Sequence, residues 1–441
     1  MSSHRPRFSV VIPTRERAET LRVTLATCLD QDFDDYEVIV CDNAGSPATR
    51  AVVDEAGATR VVYHRSEVPL AMSVNWDLAV SVARGEYVMV VGDDDALMPY
   101  ALRELDRLIV QHDRPEAVHW YRALYAWPTI AVDSEANFLF LPLRRDCRVY
   151  SGRDRLRLAA RYEIGADMLP MIYASVIRSD LIDRHRELAG RVFPTVYPDV
   201  YSGYAFAYLA ERYVSVGVPM GIAGLSGFSN GVATLLQDRT GGIAREFREL
   251  NEAAGLRPHP TVPDLGLWPV PQDDSFQYAR DLFFRDDATL ALDRRGMVER
   301  YLTALPATTP SARAAAREAI RASLSDEPEL VEWFDREAPD PPPAPPFRVK
   351  PDRFGPMGDA LVVDTLRFGV LDIGGAVRLG CDLLGLRDEP IEYDQPAPSD
   401  ARSSGDGTRR ELLQSLWLRA RGTTGQLIRG ARARASRSAV R

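Results

Sequence analysis

The residues with the clearest chemical potential are three consecutive aspartates, Asp93, Asp94 and Asp95. They close a short apolar run, residues 87–91, that follows Gly85 and Glu86. A β-branched apolar run of this length fits a strand buried on both faces. Adjoining carboxylates at its carboxyl end repel one another unless a cation lies among them. Carboxylate oxygens suit the hard ions Mg2+ and Mn2+, which in turn hold phosphates. The triplet therefore points to a metal–diphosphate site. The plainer alternative is an acidic cap on a helix opening at residues 96–99, because Asp commonly precedes a helix.

The elements that must position the triplet are legible as an alternation. Residues 8–13 read as a compact apolar strand, and Leu21, Leu25, Cys28 and Leu29 follow at near-helical spacing. Residues 36–40 form the next buried strand and end in Cys41-Asp42-Asn43. A helix over 47–57 with a Gly stop, a short strand over 60–63, helices over 70–83 and 99–112 complete the series. Strands alternating with helices imply parallel βαβ units in a doubly wound sheet, whose site lies at the strand carboxyl ends. Thr14, Asp42 and the triplet all fall on that crest.

Beyond His112 the pattern changes. Residues 117–121 read as a strand, 124–143 as a hairpin or insertion, 171–177 as a strand and 180–188 as a helix. Pro198 and Asp199 stand just ahead of a helix over 201–212, and a strand follows at 213–218. The Gly/Ser-rich stretch 221–231 reads as a loop of unusual backbone geometry. Residues 258–271 hold five prolines and read as a linker or wrapping loop, ahead of a helical region over 277–325 and a short helix over 327–335. The polyproline run 339–346 is the clearest boundary in the sequence. The organisation expected is 1–115 and 116–257 as two halves of one α/β domain, 258–338 as a mainly helical extension, 339–346 as a Pro-rich linker and 347–441 as a C-terminal region with a basic amphipathic tail.

Composition narrows the class. The 441 residues are 45% hydrophobic and 27% charged, which fits a soluble globular protein of two or three domains. A net charge of −9 argues against generic nucleic-acid binding. The four cysteines form no CxxC pair, so structural zinc and a disulfide framework find no support, and a reducing compartment is expected. With no apolar leader at the N-terminus and no run of roughly 18 apolar residues, a cytoplasmic protein is expected. Residues 409–441 carry nine arginines against one acid, Glu411. On a helix, Leu412, Leu413, Leu416 and Trp417 share one face, a pattern suited to peripheral contact with the inner face of an anionic membrane or to a solubilising, partner-binding tail.

Three segments in order, FSVVIPTRERAETL (8–21), YEVIVCDNAG (36–45) and NWDLAVSVARGEYVMVVGDDD (75–95), resemble the family 2 glycosyltransferases. These are nucleotide-sugar enzymes of the GT-A fold: α/β, Rossmann-like, with a mostly parallel central sheet flanked by helices, here followed by a helical C-terminal extension. The resemblance makes 1–115 the nucleotide-sugar-binding half of that domain and 116–257 the acceptor-binding half. The resemblance implies that Pro13, Thr14 and Arg15 line the nucleotide pocket with Asn75, that Asp42 contacts the nucleobase and that Asp93 faces the ribose or diphosphate. It makes Asp94 the principal ligand of Mn2+ or Mg2+, with Asp95 supporting it or binding through water. The family often has a further acid where this chain has Gly92. The resemblance also places the general base in an acidic pair opening a helix, and Asp199 occupies that position with Pro198 in place of the usual Glu. Ser229 and Asn230, in the 224–231 stretch, are candidates to approach diphosphate or acceptor, or plain turn residues. Trp76, Trp120, Tyr121, Trp127, Tyr197 and Tyr201 could stack on sugar rings, while the scattered histidines read as ordinary residues.

The function implied is inverting, metal-dependent transfer of a sugar from a nucleotide-diphosphate donor, UDP-linked by family habit, to a saccharide, lipid-linked or natural-product hydroxyl. The alternatives are a catalytically silent sugar-nucleotide-binding or scaffold protein, and a sugar-nucleotide pyrophosphorylase. The last expects a glycine-rich loop after the first strand, and PTRERAE has no glycine.

Overall fold

The computed structural model describes residues 4–130, 133–227, 242–305, 309–340, 350–386 and 390–394. Ser229, Asn230 and the basic segment 409–441 lie outside them.

The N-terminal alternation folds as read: β1 (Phe8–Thr14), α1 (Ala18–Leu29), β2 (Tyr36–Asp42), α2 (Pro47–Ala56), β3 (Val61–Arg65), α3 (Met72–Ser81) and β4 (Tyr87–Val90). Gly57 ends α2 in the left-handed conformation, the geometry that residue tolerates best. Next come β5 (Ala96–Leu97), α4 (Ala101–Gln111), β6 (Ala117–Trp120), β7 (Ala123–Ala126), β8 (Phe138–Pro142), β9 (Cys147–Ser151) and α5 (Gly152–Ala160). Then follow β10 (Ser175–Arg178), α6 (Ser179–Ala189), α7 (Pro198–Leu209), β11 (Arg212–Val216) and β12 (Gly221–Leu225). Among the described residues the first sheet has eight strands in the order β3-β2-β1-β4-β10-β6-β11-β9, with β10 and β9 antiparallel to their neighbours. Because β10 opposes both β4 and β6, those two run the same way, and their carboxyl ends share one crest.

Every residue of β1, β2 and β4 is buried, as a two-faced strand requires. One face packs under α1 and α4 through Leu21, Leu25, Leu105 and Leu108, and the other under α3, α6 and α7 through Trp76, Val80, Leu181 and Phe206. The chain is thus α/β, with a mostly parallel central sheet flanked by helices.

Three expectations need correction. Residues 96–99 do not open a helix: Ala96 and Leu97 form β5 and pair with β12. Residues 221–225 are not loop but strand β12. Glycine is required at 224 because a Cβ there would lie 1.8 Å from the backbone oxygen of Asp94. The glycine content reports close approach of two backbones rather than a turn. The polyproline run also does not set the following segment apart. β13 (Gly355–Met357) and β14 (Ala360–Asp364) extend a second, six-stranded sheet of order β13-β14-β8-β7-β12-β5. The last helix, Ile373–Leu384, buries Ile373, Ala376 and Leu383 in the same core as β1 and β4.

Between these two visits to the first core, the chain builds a second one. α8 (Gly242–Ala253), α9 (Val270–Ala279), α10 (Arg294–Ala304), α11 (Pro310–Ala322) and α12 (Pro328–Glu337) follow β12, and Ile373–Leu384 becomes α13. Phe276, Met297, Tyr301, Ile320 and Phe334 pack with Leu156 of α5 and Tyr204 of α7. α7 therefore carries one side into each core.

Candidate active site

The register of the parallel strands assembles the crest. Thr14 pairs with Asp42 across β1–β2, and Val11 pairs with Val90 across β1–β4, so Thr14 also stands level with Asp93 three residues on. Its Oγ1 donates to Asp93 Oδ2 at 2.7 Å, and Arg17 Nη1 donates to Oδ1 at 2.9 Å. Arg17 is the residue that sequence reasoning missed. It stands just before α1, where burial opposes its charge but Asp93 and Asp94 outweigh that and raise its pKa. Arg15, expected in the pocket, instead pairs with Glu246 of α8. A part-exposed pair of this kind contributes about 0–1 kcal/mol, too little to hold Arg15 against a competing ligand.

The three aspartates divide their work. Asp95 is spent on the fold: Oδ1 accepts from Gly224 N at 2.7 Å and Oδ2 from Gly92 N at 2.9 Å, with the Tyr173 hydroxyl a further polar neighbour. Asp94 Oδ2 accepts from Ser226 Oγ at 2.6 Å, and its backbone oxygen accepts from Trp127 Nε1 at 2.9 Å. Oδ1 of Asp94 carries no hydrogen bond among the described residues. Burial and the neighbouring Asp95 push the Asp94 carboxyl up to about 7. A carboxylate that resists ionising alone, with one oxygen uncommitted, fits a hard divalent cation. No cage of three such side chains exists among the described residues.

Gly92, where the family often has an acid, has a local cause. A Cβ there would lie 2.6 Å from the Tyr173 hydroxyl and 2.8 Å from Asp95 Oδ2. Tyr173 stacks on Trp76, with centroids 5.9 Å apart, and so fills the space such a side chain would need.

Asp42 is fully buried; Oδ1 accepts from Gly45 N at 2.8 Å and Oδ2 from the Tyr63 hydroxyl at 2.6 Å. Arg65 Nε also pairs with Oδ2 at 3.6 Å, which leaves Oδ1 the less committed oxygen. Pro13 lies at the same end of β1, opposite Cys41. Asn75 is buried behind the crest, its amide against the Cys41 carbonyl, so it braces the end of β2 rather than opening onto the cleft. Of the candidate aromatics, Trp76, Trp120, Trp127 and Tyr201 are core residues.

α7 begins at Pro198, not at residue 201, with proline in the first turn, where a missing N–H costs nothing. Asp199 is therefore inside the first turn of α7. Burial raises its pKa, against the lowering effect of the Val200 N–H and of Arg122. The 3-10 turn Ile172–Ala174, on which α7 and β4 both pack, brings Asp199 and the triplet to one end of the sheet. Buried His119 and His185, each held well below the usual histidine range by desolvation, serve the packing.

The profile of the family described as Glycosyl transferase family 2 matches residues 9–140. Residues 9–140 thus match a family 2 glycosyltransferase domain. A "GalNAc(5)-diNAcBac-PP-undecaprenol beta-1,3-glucosyltransferase" of Campylobacter jejuni is 32% identical over 103 residues, covering 23% of this chain and 33% of the relative. The "Abequosyltransferase RfbV" of Salmonella typhimurium is 34% identical over 95 residues, covering 20% of this chain and 28% of the relative. The matched segment spans a third or less of each of these two curated relatives. Among solved structures, S. aureus TarS 1–349 in complex with UDP aligns with a TM-score of 0.41 and 15% identity, covering 74% of this chain and 83% of that one. No helix among the described residues is long and apolar enough to cross a membrane.

Proposed function

We propose that this protein is an inverting, divalent-metal-dependent glycosyltransferase that moves a sugar from a nucleotide-diphosphate donor, a UDP-sugar by family habit, to an acceptor hydroxyl. The observation that carries the reading is Asp94: one oxygen is fixed by Ser226 and the other is uncommitted, at the strand end where α/β sheets bind nucleotides. Thr14, Arg17 and Asp93 present a neutralised surface to the ribose and diphosphate, and Asp42 accepts from the nucleobase. Asp94 would hold Mn2+ or Mg2+, which when bound would supply charge neutralisation for the departing nucleoside diphosphate.

Asp199 acts as general base, its burial keeping the carboxylate proton-hungry. The acceptor oxygen forms its bond to the anomeric carbon as the bond from that carbon to the diphosphate oxygen breaks. The acceptor proton passes to Asp199, and attack opposite the leaving group inverts the anomeric centre. The glucosyltransferase relative, whose name includes a PP-undecaprenol carrier, favours a saccharide on a lipid diphosphate as acceptor. Residues 409–441 would then meet the membrane that holds it.

A thermal-shift screen of UDP-, GDP- and dTDP-sugars with and without Mn2+ tests the reading. A metal-dependent rise in melting temperature with one nucleotide is expected. Stabilisation indifferent to metal would remove Asp94 from its assigned role, and none at all would remove the function.

A further inference from the structure

The crest holds one more ionic group that the roles above leave idle. Arg122 lies two residues past the carboxyl end of β6, which points the same way as β4. β10 runs between these strands in the opposite direction, so Tyr173, just ahead of it, joins the same crest. Three neighbouring strands thus set Asp94 and Asp95, Tyr173 and Arg122 side by side. The Arg122 guanidinium sits 5.5 Å from the centroid of the Tyr173 ring, and Tyr173 in turn stacks on Trp76. The charge of Arg122 is felt at both Asp95 and Asp199. It is therefore within electrostatic reach of both the acidic triplet and the base.

Arg122 is half-buried, yet it donates no hydrogen bond and forms no ion pair among the described residues. Arg17, by contrast, is tied to Asp93. Arginines left without a carboxylate in a partly desolvated cleft are costly unless a ligand supplies the anion. The planar fork of a guanidinium matches a phosphate through two parallel hydrogen bonds, and the ring beneath it fixes the plane.

We propose that Arg122 is a diphosphate-binding residue, which grips the distal phosphate of the nucleoside diphosphate from the acceptor side, across from Asp94. This rests on the nucleotide-sugar reading above and deepens it. Arg122 supplies its charge where negative charge develops as the glycosidic oxygen departs, and it keeps that phosphate in line with Asp199.

The experiment is calorimetric titration of the full chain with UDP, UMP and uridine, repeated with the guanine and thymine series, in Mn2+. The proteins are wild type, Arg122→Gln and Arg122→Lys. Wild type should prefer the diphosphate, and Arg122→Gln should lose about tenfold of that affinity, one charge-assisted contact. Monophosphate and nucleoside affinities should stay within about twofold of wild type on the same scale. Arg122→Lys should recover part of the loss. Unchanged melting temperatures would separate this from misfolding, as expected for a side chain with no ionic partner. Arg122→Gln binding the diphosphate as tightly as wild type overturns the assignment while leaving the glycosyltransferase reading standing. Wild type binding no nucleotide in any series overturns that reading itself.

Discussion

Two places in this molecule bury adjacent aspartates, and they do so differently. On the crest, Asp93 is neutralised by Arg17 and Thr14, Asp95 is saturated by backbone N–H groups, and only Asp94 keeps an oxygen to spare. In the helical core, Asp273 and Asp274 of α9 lie 1% and 0% exposed. Asp273 accepts from the Tyr162 hydroxyl at 3.0 Å, and Asp274 Oδ1 accepts from His259 N at 2.6 Å, but Asp274 Oδ2 has no hydrogen-bond partner among the described residues. Burial drives Asp273 up to about 6 and Asp274 to about 7. Both places hold a carboxyl pushed up to about 7, but the uncommitted oxygen of Asp94 lies at a strand carboxyl end, where α/β sheets bind ligands, whereas that of Asp274 lies within a helix-packed core. Removing a crest carboxylate should therefore cost activity, and removing a helical-core carboxylate should change stability.

The largest effect is expected at Asp199. Asp199→Asn should lower the transfer rate by about 10²–10⁴ while leaving donor binding intact, the range for loss of a general base. Because the pKa of Asp199 is raised, the wild-type rate should fall with decreasing pH along a limb that lies above the ordinary value of 3.8. A pH–rate profile with no such limb would argue for another base. Asp94→Ala should follow, with at least about a hundredfold loss of Mn2+-dependent sugar-nucleotide turnover and no loss of melting temperature. Parallel loss of both would mean that the crest, like the helical core, is chiefly structural. Ser226→Ala releases the oriented oxygen of Asp94 without removing the ligand, so about a tenfold weakening of apparent Mn2+ affinity is expected in a metal titration.

The helical core should respond on another axis. Asp273 and Asp274 hold protons more tightly folded than unfolded, so their contribution to stability is complete below the ordinary value of 3.8 and is lost as pH rises through about 6 and 7. Melting temperature should decline between pH 5 and pH 8, conditions chosen to bracket roughly those values. Asp274→Asn should flatten the decline and gain about 1–3 kcal/mol at the upper end, with turnover unchanged. A variant with the wild-type slope would show that the carboxyl is solvated in solution.

How much of this was legible depends on whether the signal was local. The N-terminal strands and helices announced themselves because a buried strand is a run of apolar residues and a helix repeats its face. The acidic triplet stood out in the sequence because carboxylates at a strand end are a local anomaly. Arg17 did not, since two arginines one residue apart, Arg15 and Arg17, are equivalent until the turn before α1 aims one at Asp93 and the other at Glu246. Gly221–Leu225 was read as loop for a similar reason. Glycine serves loops and close-packed strands alike, and only the partner strand tells them apart.

The sequence by itself determined the order of the βαβ units, the acidic crest and the type of chemistry open to it, because those follow from short-range pattern and residue type. Tertiary structure alone decided that residues 350–386 return past a polyproline run to complete the first core, that both oxygens of Asp95 accept from backbone N–H groups while Asp94 keeps one without a hydrogen bond among the described residues, and that Arg122 lies over the Tyr173 ring. Each of these depends on which distant backbone supplies the neighbouring hydrogen bond or space, and no periodicity within one segment encodes that partner.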